Sequence, residues 1–219
     1  RGLVGSEMCI RDSYHSYPNS GGAFKVQIFS PYIFLNLSQL PVTIKTRPWA
    51  GHAKMVAGQE SHDDDYDASE QRKPFLVSRI GESNNRFLIR SRDSSWSKPL
   101  SFDVIGSEVG VVIPSSSGDR ELHLGLDIQD GLSKFKLSKV VKLAPRYLIH
   151  NKLSHAVLIA ESMGGDPVRI GADERVPLHW FHVASNKHAT LALEGSNLEW
   201  TAPFSIDNIG NVYLRMVRD

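Results

Sequence analysis

Two stretches of this chain are one stretch written twice. Trp96-Ser97-Lys98-Pro99-Leu100-Ser101-Phe102-Asp103-Val104-Ile105-Gly106 is echoed by Trp200-Thr201-Ala202-Pro203-Phe204-Ser205-Ile206-Asp207-Asn208-Ile209-Gly210, with Trp, Pro, Ser, Asp, Ile and Gly in register 104 residues later. A second pair lies upstream of each copy: Tyr32-Ile33-Phe34-Leu35-Asn36 and Tyr147-Leu148-Ile149-His150-Asn151, 115 residues apart. Two landmarks in the same order, at nearly the same separation, define an internal repeat. Each unit must then be read as a copy of one small fold. The two spacings differ by 11 residues, which places an insert in the first copy. It coincides with His62-Asp63-Asp64-Asp65-Tyr66-Asp67 and the polar residues up to Lys73. Lengthening a loop costs little free energy, so an acidic insert in a repeat belongs on the surface.

The pattern between the landmarks is that of strands. Residues 24–28, 42–45, 122–128 and 212–216 alternate apolar and polar side chains, the period of a half-buried strand, and 86–90 reads as a strand beside the turn at 81–85. Shorter apolar runs at 32–35, 75–77, 109–113, 157–160, 177–181 and 190–193 read as further strands. Turn-forming clusters such as Gly81-Glu82-Ser83-Asn84-Asn85 and Gly164-Gly165-Asp166-Pro167 separate them. Asp130-Gly131 supplies the positive-φ positions of a tight hairpin, with 135–137 as its return strand. No window places apolar residues at i, i+3, i+4 and i+7 between caps. Short strands with turns every ~8–12 residues predict an all-β chain of two tandem β-sandwich repeats, residues 23–138 and 139–219. The second copy has no counterpart of the 122–137 hairpin, so the chain stops inside or just after a repeat.

The recurring residues carry physical expectations. Trp96 and Trp200 are expected to anchor their module cores, because burying an indole removes a large apolar area from water. The reading requires the two segments to be equivalent in the fold and both rings to be shielded from solvent. Pro99 and Pro203, lacking an N–H, fit a strand edge or bulge. Asp103 and Asp207 precede Gly106 and Gly210 by three residues, which suits a side-chain-stabilised turn. Asparagine is depleted in strands, yet Asn36 and Asn151 end matching runs. One buried amide can tie together two backbone segments, so both are read as structural braces, with direct ligand recognition as the alternative. Asn36-Leu37-Ser38 is also a glycosylation sequon, weak evidence on its own.

Constellations for catalysis are not found. The sequence has no Gly-x-Ser-x-Gly elbow, no phosphate-binding Gly-Lys-Ser/Thr loop and no Gly-x-Gly-x-x-Gly after a strand. His179 and His182 would fall on opposite faces of a strand, so no shared metal is expected. The Asp63–Asp67 cluster lacks the glycine and distal glutamate of a calcium loop. Neither a catalytic residue, a metal site nor a cofactor is therefore assigned. A formal net charge of +1 offers no global field for nucleic acid, and the single cysteine, Cys9, excludes a disulfide framework. No apolar run is long enough to span a membrane. Residues 1–22 are set aside as a leader: the segment from Arg1 to Ser13 has no strand or helix period and resembles translated adapter read-through, or a disordered linker.

The stretch from Leu137 to Leu153, Leu-Ser-Lys-Val-Val-Lys-Leu-Ala-Pro-Arg-Tyr-Leu-Ile-His-Asn-Lys-Leu, is similar to the start of a repeat in the adaptor-binding (VAB, or SHR-BD) domain of the vacuolar protein sorting-associated protein 13 family. The Trp200–Gly210 block resembles a later part of that repeat. Leu122-His123-Leu124-Gly125 with Lys134-Phe135-Lys136-Leu137-Ser138-Lys139 resembles its inter-repeat hairpin. The likeness covers roughly residues 23–219. It implies a curved array of β-sandwich repeats, each carrying one recurring asparagine, the position held by Asn36 and Asn151. It implies adaptor proteins with Pro-x-Pro peptides as partners, membranes reached only through those adaptors, and lipid handled by other regions of a large bridge-like transfer protein. It also implies a cytoplasmic protein, peripheral at organelle contact sites of endosome, vacuole and mitochondrion. The insert at 62–73 has no place in that pattern. The alternative is that these repeats are architectural spacers which position the adaptor-binding repeat.

Overall fold

Alternation decides the strands. Tyr32, Phe34 and Asn36 are buried while Ile33 and Leu35 between them are only partly so, and Val42 and Ile44 repeat the pattern. The computed structural model describes residues 15–16, 24–25, 28–45, 65–67, 74–77, 86–101, 109–195 and 199–216. Asp103, Gly106 and most of the acidic insert lie outside the described residues.

The chain is all-β. In order come β1 (His15–Ser16), β2 (Phe24–Lys25), β3 (Tyr32–Asn36), β4 (Val42–Lys45), β5 (Asp65–Asp67), β6 (Phe75–Val77), β7 (Arg86–Ser91), β8 (Leu100–Ser101), β9 (Val109–Pro114), β10 (Arg120–Asp130) and β11 (Lys139–Pro145). There follow β12 (Tyr147–His150), β13 (Val157–Glu161), β14 (Val168–Ile170), β15 (Arg175–Leu178), β16 (Trp180–His182), β17 (His188–Leu193) and β18 (Phe204–Ser205). Two single-turn 3-10 helices, Ser133–Phe135 and Val183–Ser185, complete the described elements.

Two units are distinguished. The first gathers residues 1–92, 96–109 and 125–144; the second gathers 93–95, 110–124 and 145–219. In the first unit a four-stranded antiparallel sheet runs β5-β4-β7-β8. Opposite it, β3 pairs antiparallel with β6 on one side and parallel with β11 on the other, Tyr32 facing Lys139 and Asn36 facing Leu143. Phe34 on β3 meets Phe87 on β7 edge-to-face, ring centroids 6.4 Å apart, so the inner faces of the two sheets share one core. β11 opens the second sequence copy, yet residues 139–144 belong to the first unit.

The second unit repeats the pairing scheme. Its four-stranded sheet runs β14-β13-β17-β18, and β12 pairs antiparallel with β15. Val157, Ile159, Ile170 and Ala189 form its core, against which Ile149 on β12 and Val176 and Leu178 on β15 pack partly buried. The first half of β10 pairs with β16, Leu122 facing Trp180. β9 pairs with β10, and Val111 and Ile113 are buried.

The structure departs from the sequence reading in four places. The 177–181 run is broken at His179, between β15 and β16. Residues 135–137 do not return as a strand; a 3-10 turn intervenes, and the positive φ falls on Ser133 rather than on Asp130-Gly131. Gly131 is required for space: an added Cβ would lie 2.2 Å from the Phe135 carbonyl oxygen. Residues 212–216 alternate but form no strand, since no neighbouring strand is there to take their hydrogen bonds among the described residues. β1, β5, β8, β14 and β18 were not foreseen, being only two or three residues each, too short for a period to show.

Candidate interaction site

The braces come first. Asn36 and Asn151 sit at the ends of matching strands, and their side chains are buried (1% and 5% exposed). The Asn36 Oδ1 accepts from the Ser38 N–H at 3.0 Å and from the Ser38 hydroxyl at 2.6 Å, while Nδ2 donates to the Leu40 carbonyl at 2.9 Å. The Asn151 Oδ1 accepts from the Leu153 N–H at 3.0 Å, and Nδ2 donates to the His155 carbonyl at 2.9 Å. Contacts two and four residues ahead are thus shared. Asn151 also donates to the carbonyls of Ile170 (3.1 Å) and Gly171 (2.8 Å), which pins the end of β14 to the end of β12. Each amide thus bonds to the backbone of the segment that follows it, the contacts a brace would make. A buried, bonded Asn36 also offers no nitrogen to a glycan.

A second matched device escaped the sequence reading. The Ser97 hydroxyl accepts from the Ile89 N–H at 3.0 Å and donates to the Lys98 carbonyl at 2.9 Å, while the Ser97 N–H donates to the Ile89 carbonyl at 2.8 Å. Thr201 repeats all three: from the Leu191 N–H at 3.1 Å, to the Ala202 carbonyl at 3.1 Å, and to the Leu191 carbonyl at 2.8 Å. Both residues are buried. The signal was present in the sequence as a hydroxyl residue following each tryptophan.

The tryptophans themselves are not core anchors. Trp200 is 39% exposed, and Trp96 is only partly buried. The Arg90 guanidinium lies 4.5 Å and the Lys45 ammonium 5.7 Å from the Trp96 ring centroid. The cores are instead built on strand residues such as Phe34, Phe87, Ile44 and Ile89. The indole lies outside the core because the buried hydroxyl beside it takes the inward position on the segment. Pro99 and Pro203 are exposed. Gly210 has φ +134°, a conformation that favours glycine, whereas the Asp207 carboxylate does not close the turn. It accepts hydrogen bonds from the Tyr147 hydroxyl and the Lys187 ammonium.

Charge and burial tune this cluster in the second unit. The bonds from Lys187 and then Tyr147 hold the Asp207 carboxyl below its ordinary value. The same bond to Asp207 raises Lys187, and burial raises Tyr147, helped by its bond to Asp207. His123 is buried among the rings of Tyr147 (5.9 Å) and Phe181 (5.4 Å), and burial lowers its pKa. Its Nε2 lies 3.3 Å from Glu121 Oε2 without hydrogen-bond geometry. His179 is likewise lowered by burial, while His182 donates its backbone N–H to Glu161 Oε2 at 2.9 Å. Neither histidine shares a partner with the other. Among the described residues no group of three His, Cys, Asp or Glu side chains is placed to hold a metal, and no helix is long and apolar enough to cross a membrane.

What the arrangement can do is present rigid strand edges. β14 is an outer strand of its sheet, and its Arg169 holds Glu194 bidentately at 2.5 and 2.8 Å. The outer edge of β12 is unpaired among the described residues, although the same edge of β3 is covered by β11.

Comparison with known proteins adds the family context. The family model described as the adaptor binding domain of vacuolar-sorting associated protein 13 matches residues 5–219. An intermembrane lipid transfer protein VPS13 from Chaetomium thermophilum is 38% identical over 218 residues, covering 98% of this chain and 7% of the relative. The intermembrane lipid transfer protein vps13E of Dictyostelium discoideum is 27% identical over 146 residues, 63% of this chain and 3% of that protein. The mouse intermembrane lipid transfer protein VPS13C is 31% identical over 106 residues, 48% of this chain and 2% of that protein. The chain thus spans a small fraction of each of these relatives.

Proposed function

This chain belongs to the adaptor-binding domain family of vacuolar-sorting associated protein 13, and we propose that it is a non-catalytic interaction module that helps recruit a bridge-like lipid transfer protein to organelle contact sites. The partners are adaptor proteins presenting Pro-x-Pro peptides, and the binding mode is addition of an extended segment to an outer strand such as β14. The observation that carries this reading is the family match over residues 5–219, joined to a fold in which β14 and β12 have edges unpaired among the described residues. The chemistry of the peptide suits such an edge. Residues i and i+2 of a strand direct their backbone groups to the same side. The two prolines of Pro-x-Pro therefore lose N–H groups on one side only. The intervening residue keeps its donor for the sheet, which is how proline is tolerated at edges.

A short motif buries little area, so affinity is expected at about the micromolar level. Isothermal calorimetry of the 219-residue chain with Pro-x-Pro peptides tests this directly. Saturable heat that vanishes when both prolines become alanine supports recognition by this segment. Silence with every such peptide leaves the second reading, that of architectural repeats which set the position of a binding repeat elsewhere. That reading has its own support: the opening strand of the second sequence copy, β11, completes a sheet of the first unit.

A further inference from the structure

The outer edge of β12 has a covered counterpart in the same chain. β3 and β12 begin at matching tyrosines, both pair antiparallel with a later strand, and an asparagine bonded to the backbone ahead closes β3 and follows β12. β3 is paired on its other side, in parallel, with β11 from Lys139 to Leu143. β12 has no such neighbour among the described residues. Burial registers the difference. Tyr32 and Phe34 are 6% and 0% exposed, whereas Tyr147 and Ile149 are only partly buried, and Leu148 is 54% exposed where Ile33 is partly buried.

We propose that the outer edge of β12 is the docking edge for the opening strand of a further unit of the same repeat, added in parallel as β11 is added to β3. The occupant has the chemistry of β11: apolar residues at the positions of Val141 and Leu143, which are fully buried against the first unit, alternating with lysine, as at Lys142, which reaches Gln129 and Asp127 from the other face. In the first copy that strand follows Tyr32 by 107 residues; the same distance from Tyr147 falls past residue 219. The chain spans only 7% of its Chaetomium relative, so a longer protein has ample sequence to supply it. Each unit would then be sealed by the first strand of the next. The inference stands apart from adaptor binding.

The register names the reporters. The Leu37 N–H donates to the Leu143 carbonyl at 2.7 Å and the Lys139 N–H donates to the Pro31 carbonyl at 2.8 Å, so alternate residues of β3, Ile33 and Leu35 among them, face β11. Their matches on β12 are Leu148 and His150. The Asn151 N–H donates to the Glu174 carbonyl at 3.0 Å, which turns the intervening residues toward β15. Hydrogen exchange by NMR on the 219-residue chain should therefore show fast amides at Leu148 and His150 beside slow ones at Ile149 and Asn151.

The test fuses Lys-Val-Val-Lys-Leu-Ala-Pro to the C-terminus through a Gly-Ser linker, which sets an effective concentration of about millimolar. Exchange at Leu148 and His150 should slow by about tenfold or more, and proline in place of the second valine of the fused segment, the counterpart of Val141 whose N–H faces the edge, should abolish the slowing. No slowing in the fusion, equal slowing in the proline variant, or displacement of the fused segment by a Pro-x-Pro peptide would each overturn the proposal. Failure of Pro-x-Pro binding in calorimetry leaves it untouched.

Discussion

Asn151 Nδ2 lies 2.8 Å from the carbonyl oxygen of Gly171, a contact that closes 20 residues of chain into a fixed loop. The same nitrogen reaches Ile170 and His155, so a single amide holds the end of β12, the start of the β13 hairpin and the end of β14 together. Its bonds all run to the backbone of its own unit, so its removal is tested first on stability.

Asn151→Ala strips these carbonyls and the Leu153 N–H of their partner. Each buried group left unpaired costs ~1–3 kcal/mol, so the loss should reach at least 2 kcal/mol and lower the melting temperature by several degrees. Thermal melting followed by circular dichroism checks it. A variant with unchanged Tm but altered peptide binding would show that the asparagine serves recognition instead.

Thr201→Val keeps the shape of the side chain and removes the oxygen that accepts from Leu191. A cost of ~1–3 kcal/mol in urea denaturation is expected, because a partly buried strand N–H is left without its partner. Thr201→Ser should be nearly neutral, since Ser97 makes the same three bonds in the first unit. If valine is tolerated as well as serine, the hydroxyl is not what fastens the segment.

Trp200→Ala should cost well below the ~3–5 kcal/mol typical of a buried tryptophan, because the ring is already 39% exposed. Phe34→Ala, at a fully buried position, should cost clearly more. For Trp96→Ala the loss includes the contact with Arg90, worth about 0.5–1 kcal/mol at a partly exposed site. Chemical denaturation of the three variants orders them, and a Trp200 variant as damaged as the Phe34 variant would contradict the burial seen here.

Asp207 gives the second unit an acid limb. Its carboxyl is depressed in the folded chain by Lys187 and Tyr147, so the stability it contributes is present above the ordinary aspartate value and is lost as pH falls through the lower folded value. Lys187, raised by the same bond, contributes below the ordinary lysine value and loses that contribution as pH rises through its higher folded value. Melting temperatures measured from neutral pH downward should fall less steeply in Asp207→Asn than in the parent chain. Parallel acid limbs would show that the carboxylate is not linked to folding.

Much of this was written along the chain. Duplication at fixed spacing, an apolar run at 32–35, alternation at 42–45 and 122–128, and an asparagine at the close of a strand are local patterns, and local patterns survive in one dimension because side chains alternate with a period of two. Strand existence, the all-β class and the equivalence of Asn36 with Asn151 were legible for that reason. Partnership was not. Whether an alternating segment becomes a strand depends on a neighbour to receive its N–H groups, which β4 has and which, among the described residues, 212–216 lack. Whether a tryptophan is core depends on which side of its segment meets the opposite sheet, and the hydroxyls of Ser97 and Thr201 took that side. The parallel addition of β11 to β3, across more than 100 residues, leaves no mark on either strand alone. Sequence determined which segments could form ladders; the tertiary structure decided which edges they close, because a backbone hydrogen bond belongs to two strands and is encoded in neither.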